Sequence, residues 1–165
     1  TITVNEPGDA GLPATAALCV NSSGTNNSVT ITSTLSADDY NFTWTAIGAT
    51  PSSATDVNSV TVSYDASGDY EVTVIAEDKI THCLAYDTTL VHVNAVTIPV
   101  IAGRSTICDG ETDTLTTTVD YAGYEWIGQS STYDTLSVTT PGDYTVVGTD
   151  ANGCSDTSAV FHVDV

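Results

Sequence analysis

Positive charge is almost missing from this sequence of 165 residues. Lys79 and Arg104 are its only basic residues against 21 Asp and Glu, and the formal net charge is −19 at pH 7. Nucleic acids and anionic membrane surfaces repel such a chain, because both present dense negative charge. The composition therefore predicts no nucleic-acid partner, and it indicates that most of the carboxylates serve to keep the protein soluble.

Methionine, long apolar runs and helical patterns are lacking as well. Because no methionine occurs, we expect a processed mature protein or a piece of a longer one. No apolar run is long enough to span a membrane as a helix, and no signal-peptide pattern is present, so no membrane insertion is predicted. No window shows the apolar spacing of an amphipathic helix.

The usual signatures of catalysis and of zinc binding are also missing. There is no Gly-x-Ser-x-Gly nucleophile motif and no Cys-x-x-Cys pair. His82 and Cys83 are neighbours, which on a strand point to opposite faces. We therefore predict that the protein is not an enzyme.

Alternating apolar and polar residues run through most of the chain. The clearest stretches are Ser28–Leu35, Ser59–Tyr64, Tyr70–Ile75 and Tyr144–Val147. This period of two predicts half-buried antiparallel strands, and the frequent Gly, Asn, Asp and Ser clusters between them predict short turns. The sequence is therefore predicted to form an all-β sandwich fold.

One pattern occurs twice: Cys, Trp, Gly-Asp-Tyr, Cys and His-Val. The copies are Cys19, Trp44, Gly68-Asp69-Tyr70, Cys83 and His92-Val93, then Cys108, Trp126, Gly142-Asp143-Tyr144, Cys154 and His162-Val163. We predict two tandem β-sandwich domains, residues 8–95 and 96–165, preceded by a separate strand at residues 1–7. Trp44, Tyr70, Trp126 and Tyr144 are predicted core residues, whereas Asp69 and Asp143 are expected to stabilise tight turns.

Four cysteines allow three disulfide pairings. The repeat favours Cys19–Cys83 and Cys108–Cys154, one bond within each domain. Domains of this size bury a modest core and often need such a covalent link. Persistent disulfides predict an oxidising, extracytoplasmic location.

The second cysteine of each copy lies well beyond the tyrosine, at 83 after 70 and at 154 after 144, whereas antibody-type domains place it two residues after the tyrosine. The second copy carries Ile107-Cys-Asp-Gly-Glu111, Tyr124-Glu-Trp126, Leu136-Ser-Val138, Pro141-Gly-Asp-Tyr-Thr-Val146 and Thr149-Asp-Ala-Asn-Gly-Cys154. These segments resemble the immunoglobulin-like (PKD-like) tandem repeats of secreted Bacteroidota surface adhesins, including gliding-type adhesins. The resemblance implies Ig-like sandwiches, export to a bacterial cell surface, and tandem strings acting as stalks or adhesive fibres.

The first residues of the chain resemble a final strand without its own domain. Ile2-Thr-Val-Asn5 is similar to Val91-His-Val-Asn94, and both precede a cysteine by the same distance, at 5 to 19 and at 94 to 108. The candidate assembly strand consists of Thr1, Ile2, Thr3, Val4, Asn5, Glu6 and Pro7.

Two functions fit this strand. In the first, the protein is a non-enzymatic subunit of an extracellular filament, and Thr1–Pro7 adds a strand to a neighbouring copy. In the alternative, the chain is a two-repeat segment of a long cell-surface adhesin that binds glycans or surfaces. A carbohydrate-binding module with Trp or Tyr as its platform is a third class. The matched register does not choose between the first two.

Modification and calcium sites are further candidates. Asn21, Asn26 and Asn41 begin formal N-glycosylation sequons. Thr88, Thr114 and Thr135 resemble the Asp-Ser/Thr-apolar O-glycosylation motif of Bacteroidota, although chance matches are common in a chain rich in Thr and Asp. Asp109, Glu111 and Asp113 offer oxygen ligands for calcium without EF-hand spacing. No other cofactor is predicted.

Overall fold

The computed structural model describes residues 8–21, 27–51 and 53–165. Every regular element in these ranges is a β-strand, and none of the described residues forms a helix that could cross a membrane. The described residues divide into two compact units, one of residues 8–20 and 27–94, the other of residues 21 and 95–165. The predicted all-β class is confirmed for this part of the chain. The predicted strand Thr1–Pro7 and the sequon asparagine Asn26 lie outside it.

The first unit is built from one large sheet and one two-stranded ladder. Its strands are β1 (Gly8–Asp9), β2 (Thr15–Val20), β3 (Ser28–Thr32), β4 (Tyr40–Ala46), β5 (Ser53–Thr55), β6 (Ser59–Ser63), β7 (Gly68–Asp78) and β8 (Leu84–Ala95). The large sheet has the order β1-β8-β7-β4-β5, with β2 also paired to β8, and the ladder joins β3 to β6. The neighbours β4, β7 and β8 are antiparallel, whereas β1 runs parallel to β8.

Period-two alternation decides which side of each sheet is buried. On β4, Phe42, Trp44 and Ala46 are buried and the residues between them are exposed. The ladder supplies Ile31 from β3 and Val62 from β6 to the same core. The two sheets therefore enclose one apolar layer, as in a β-sandwich.

The second unit is built from three short ladders around a smaller core. Its strands are β9 (Ile101–Ala102), β10 (Asp113–Thr117), β11 (Gly123–Trp126), β12 (Thr135–Val138), β13 (Gly142–Tyr144), β14 (Val146–Thr149), β15 (Ser155–Thr157) and β16 (Phe161–Val163). The ladders have the orders β12-β10-β9, β11-β14-β15 and β13-β16. Leu115, Trp126, Val146 and Val163 are the most deeply buried members of this core.

Each unit buries its tryptophan with the indole N–H satisfied. Trp44 Nε1 donates to the Val57 carbonyl at 2.8 Å, and Trp126 Nε1 donates to the Tyr133 carbonyl at 3.0 Å. A buried indole N–H without an acceptor would cost stability. Each hydrogen bond therefore holds a loop segment against the core that the tryptophan fills.

The tyrosine of each Gly-Asp-Tyr motif makes a bond back to the chain. Tyr70 Oη donates to the Ala66 carbonyl at 3.1 Å, and Tyr144 Oη donates to the Thr140 carbonyl at 2.7 Å. This is the tyrosine-corner arrangement of immunoglobulin-like sandwiches. The preceding Gly68 and Gly142 have φ of 152° and 157°, a region that side chains disfavour.

The two tyrosines differ in depth. Tyr144 is buried in the second core, whereas Tyr70 is half-buried at the edge of the first. Tyr70 stacks on Tyr64 with ring centroids 4.3 Å apart, and Tyr64 is the fully buried one. Tyr64 is not part of the repeated motif, but the alternation over Ser59–Tyr64 places it on the same side as the buried Val60 and Val62.

The predicted disulfide pairs Cys19–Cys83 and Cys108–Cys154 are wrong. Cys19 and Cys154 are disulfide-bonded, whereas Cys83 and Cys108 are free and exposed. The β7–β8 ladder ends at the pair Glu77↔Leu84, so Cys83 lies in the exposed hairpin beyond it. Cys154, its counterpart in the repeat, is buried in the turn of a much shorter hairpin. Repeat symmetry failed because the two hairpins differ in length.

Alkylation of the unreduced native protein should label Cys83 and Cys108 and leave Cys19 and Cys154 unlabelled, because only the first two carry free, exposed thiols. Peptide mass spectrometry after iodoacetamide treatment measures this. A control sample reduced in denaturant should be labelled at all four cysteines. Protection of Cys83 or Cys108 in the unreduced sample would contradict the assignment.

Replacing Tyr144 by Phe should lower the free energy of unfolding by about 1 kcal/mol, because the Thr140 carbonyl loses the hydroxyl that donates to it. Urea denaturation measures the change. Tyr133→Phe is the matched control, since that ring is exposed and the change should stay within about 0.5 kcal/mol. Equal effects at both positions would show that the corner bond has no special role.

Candidate functional site

An aspartate–histidine pair occurs at the same place in both units. Asp69 and His92 are direct cross-strand partners with Oδ1 and Nδ1 2.7 Å apart, and Asp143 and His162 are partners at 2.6 Å. These carboxylates were expected to stabilise turns, but they bind histidines on the last strand. The signal was present in the sequence, because the Gly-Asp-Tyr and His-Val motifs recur together.

His162 has a second acidic neighbour. Its Nε2 lies 3.1 Å from Asp164 Oδ1, so both ring nitrogens face carboxylates. The hydrogen bond to Asp143, followed by that to Asp164, raises the pKa of His162 above its usual value. All three side chains are exposed to solvent, so the pairing contributes little to stability. We therefore interpret the contacts of His162 with Asp143 and Asp164 as part of the charged protein surface.

Arg104 contacts the loop that is predicted to bind calcium. Arg104 Nη1 donates to Glu111 Oε1 at 2.8 Å, and Arg104 Nε donates to Asp113 Oδ1 at 3.2 Å. The other carboxylate oxygens accept from backbone N–H groups: Glu111 Oε2 from Cys108 and Asp113 Oδ2 from Arg104. These bonds lower the pKa of both carboxyl groups, led in each case by the backbone N–H.

Asp109, the third calcium candidate, is exposed beside this cluster in sequence. In the part of the chain that the structure describes, no group of three or more His, Cys, Asp or Glu is arranged to hold a metal ion. The guanidinium of Arg104 supplies the positive charge that Glu111 and Asp113 contact. Calcium binding at this loop stays a prediction.

The described glycosylation candidates differ in accessibility. Asn41, Thr88 and Thr114 are exposed on strands β4, β8 and β10. Thr135 is half-buried at the start of β12, and Asn21 Nδ2 donates to the Ser155 carbonyl at 3.4 Å. Modification at any of them stays a prediction.

An apolar groove opens on the surface of the second unit. Its cavity volume is about 170 Å³. Every lining residue is apolar: Ile98, Pro99, Val100, Ile101, Ala159, Val160 and Phe161. Ile98, Val100 and Val160 are 46%, 54% and 63% exposed. In a chain with a net charge of −19, this uncharged patch is the best candidate for an interaction surface.

The strands beside this groove have unpaired stretches. Within the described ranges, Phe161 pairs with Tyr144 of β13, and the opposite side of the last strand is first engaged at Asp164, by Thr106. On the other wall, β9 pairs with β10 alone. The Val100 carbonyl accepts from Thr118 N–H at 3.0 Å, whereas the main chain at 159–160 pairs with no other segment within the described ranges. The groove is therefore lined by apolar side chains and bordered on one side by this main chain.

Part of the chain matches a known domain family. Residues 12–93, which make up most of the first unit and just under half of the chain, match the profile of the PKD domain. Together with the all-β architecture, this match shows a PKD-type, immunoglobulin-like fold. The search of curated proteins found no significant match.

Several solved structures resemble this chain, but the similarity is weak. A mixed-linkage glucan utilization locus protein of Bacteroides ovatus, SGBP-B in complex with a mixed-linkage heptasaccharide, is 20% identical with a TM-score of 0.34 over 98% of this chain and 45% of that one. Fibronectin(III)-like modules of Clostridium thermocellum CbhA are 14% identical with a TM-score of 0.46 over 90% and 88%. The FN1–FN3 domains of chicken CNTN1 are 10% identical with a TM-score of 0.44 over 95% and 64%.

The chain spans about half the length of the Bacteroides ovatus protein. At identities of 20% or less, these likenesses concern the fold alone. The family match and the three structures therefore assign no ligand to the groove or to the Asp–His pairs.

The pKa of His162 should lie above 6.5, the usual value, because Asp143 and Asp164 stabilise its charged form. NMR titration of the ring protons measures it. Asp143→Asn and Asp164→Asn should each lower this pKa, and Asp134→Asn, which removes an exposed carboxylate from the same unit, should leave it unchanged.

The linked effect on stability has a definite sign. Since folding raises the pKa of His162, the pair's small stabilisation is complete below the unfolded value and is lost as pH rises through the folded pKa. A His162 pKa at or below 6.5 in the native protein would contradict the contacts with both carboxylates.

Proposed function

We propose that this protein is a non-enzymatic, extracellular structural protein of the bacterial cell surface that assembles head to tail into a filament. In the proposed assembly, Thr1–Pro7 of one copy adds a strand to the next copy. The observation that carries the proposal is the uncharged apolar groove beside the unpaired main chain at 159–160 in the second unit. Main-chain hydrogen bonds along an edge and pockets for alternate side chains are what strand addition requires.

Fold and redox chemistry support the proposed extracellular location. Disulfide-bonded Cys19 and Cys154 indicate an oxidising compartment, because cytosolic proteins are kept reduced. The PKD-type, immunoglobulin-like fold is in keeping with a structural or binding module outside the cell. The acidic surface would keep separate copies soluble before they join.

The direction of assembly follows from the order of the parts. In the sequence the donor segment comes directly before β1, and the groove belongs to the second unit. Two different surfaces then meet at each junction, which makes the contact heterologous. Heterologous contacts that do not close into a ring produce open filaments.

The alternative is a segment of a longer surface adhesin that binds glycans. Tyr86 and Ile75 favour it, because they are cross-strand partners and both are exposed on the outer face of the large sheet. Trp44 and Trp126 are excluded as sugar platforms, since both are buried. An adhesin segment of this kind would bind its glycan as a monomer, whatever residues occupy positions 1–7.

The double substitution Ile2→Asp with Val4→Asp should abolish filaments, because alternate residues enter the acceptor and a buried carboxylate is costly. Electron microscopy and sedimentation of the full chain measure assembly. The matched control is Thr1→Asp with Thr3→Asp, which adds the same charge on the opposite face of the strand and should keep filaments. Normal filaments from both variants would overturn strand donation, and absence of filaments from the unsubstituted protein would favour the adhesin alternative.

A further inference from the structure

We propose that the groove between segments 98–101 and 159–161 is the acceptor that takes Ile2 and Val4 of a second copy. This inference rests on the proposed function and names the surface that strand donation requires. It commits to one occupant, the segment Thr1–Pro7, which lies outside the described residues.

The volume and the apolar lining of the groove fit branched aliphatic side chains. A dry apolar cavity of about 150 Å³ is large enough to bind benzene, and this groove offers about 170 Å³. Residues two apart on a strand point to the same side, about 7 Å from one another. Added as a strand, Ile2 and Val4 would present two β-branched side chains to one surface, with Thr1 and Thr3 on the other.

Charge restricts which segment can dock there. None of the seven lining residues is charged, so a carboxylate brought into the groove would lose its hydration without finding a partner. Residues 1–5 carry no charged side chain, and Glu6 is the first acidic residue. In a chain with 21 Asp and Glu, an uncharged strand and an uncharged groove can approach without burying carboxylates.

The free main chain beside the groove fits an added strand. Pro99 has no N–H, so the edge at 98–101 is a poor pairing edge. The segment 159–161 leads into β16, whose described partner β13 occupies one side, and on the other side the bridge to Thr106 begins at Asp164. The added strand pairs with this segment while its apolar face covers Ile98, Val100 and Val160.

The length of the donor is sufficient. Seven extended residues span about 23 Å at roughly 3.3 Å per residue. This exceeds the length of the three-residue edge and leaves residues to connect the strand to β1. Binding would cover three aliphatic side chains that are about half exposed in the isolated chain.

The first test places a charge in the groove of the full chain. Val160→Asp should abolish filaments and weaken binding of a labelled synthetic peptide of residues 1–7 at least tenfold. Ile127→Asp is the matched control, because Ile127 is 53% exposed in the same unit and does not line the groove. It should leave both readouts unchanged. Circular dichroism melting checks that both variants fold.

The outcomes distinguish a failure of the proposed acceptor from a failure of the proposed function. If Val160→Asp keeps filaments while Ile2→Asp with Val4→Asp abolishes them, strand donation stands and the acceptor is overturned. If Val160→Asp and the double variant Ile2→Asp with Val4→Asp both keep filaments, the acceptor and the proposed function are both overturned. If Ile127→Asp also abolishes filaments, the groove is not the specific site and the acceptor is overturned.

The second test asks whether donor and acceptor belong to different copies. A photo-crosslinking residue at position 2 is irradiated in a mixture of ¹⁵N-labelled and unlabelled protein, and crosslinked peptides are identified by mass. Mixed-label crosslinks to residues 98–101 or 159–161 are expected. Crosslinks within one copy alone, or to other segments, would overturn the proposal.

Discussion

Each unit depends on one buried tryptophan whose indole N–H must find an acceptor. Trp44 and Trp126 are the largest fully buried side chains, and each obtains its acceptor from a loop carbonyl, of Val57 or Tyr133. Burial of the ring stabilises the packing of the strands, because aromatic side chains bury the largest apolar areas. The hydrogen bond then constrains a loop that strand pairing alone would leave free.

The tyrosine corners add a second shared constraint. Tyr70 and Tyr144 bond to the carbonyl four residues before them, which closes the turn that leads into β7 or β13. Cross-strand pairing then sets Asp69 opposite His92 and Asp143 opposite His162. The Asp–His pairs are therefore a consequence of the motif that builds the fold, and their exposure makes them part of the surface charge.

The acidic residues favour solubility, whereas the exposed apolar groove favours contact with another molecule. Acidic residues dominate the charged side chains, and in the loop predicted to bind calcium Arg104 contacts the carboxylates of Glu111 and Asp113. The groove in the second unit is uncharged throughout its lining. In a protein whose copies repel one another, an interaction that buries no carboxylate has the lowest electrostatic cost. This is why we place assembly there.

Much of the strand architecture could be predicted from alternation, because a half-buried strand must place every second residue in the core. That logic predicted the all-β class, whereas the core positions of Trp44 and Trp126 are predicted by the repeated motif. In the alternating stretch Ser59–Tyr64, Tyr64 has the same parity as Val60 and Val62, and all three are buried. Alternation did not predict the cysteine chemistry, because a motif repeated in sequence need not occupy the same depth in space. Cys83 lies beyond a long ladder and Cys154 within a short turn.

The sequence by itself determined the fold class, the acidic surface and the repeated Trp and Gly-Asp-Tyr motifs, since each follows from residue type and spacing along one strand or turn. Only the tertiary structure decided which cysteines are bonded, which carboxylates meet Arg104 or a histidine, and that segments 98–101 and 159–161 form one groove. Those facts depend on the lengths of hairpins and on contacts between residues distant in the chain, which local periodicity does not specify.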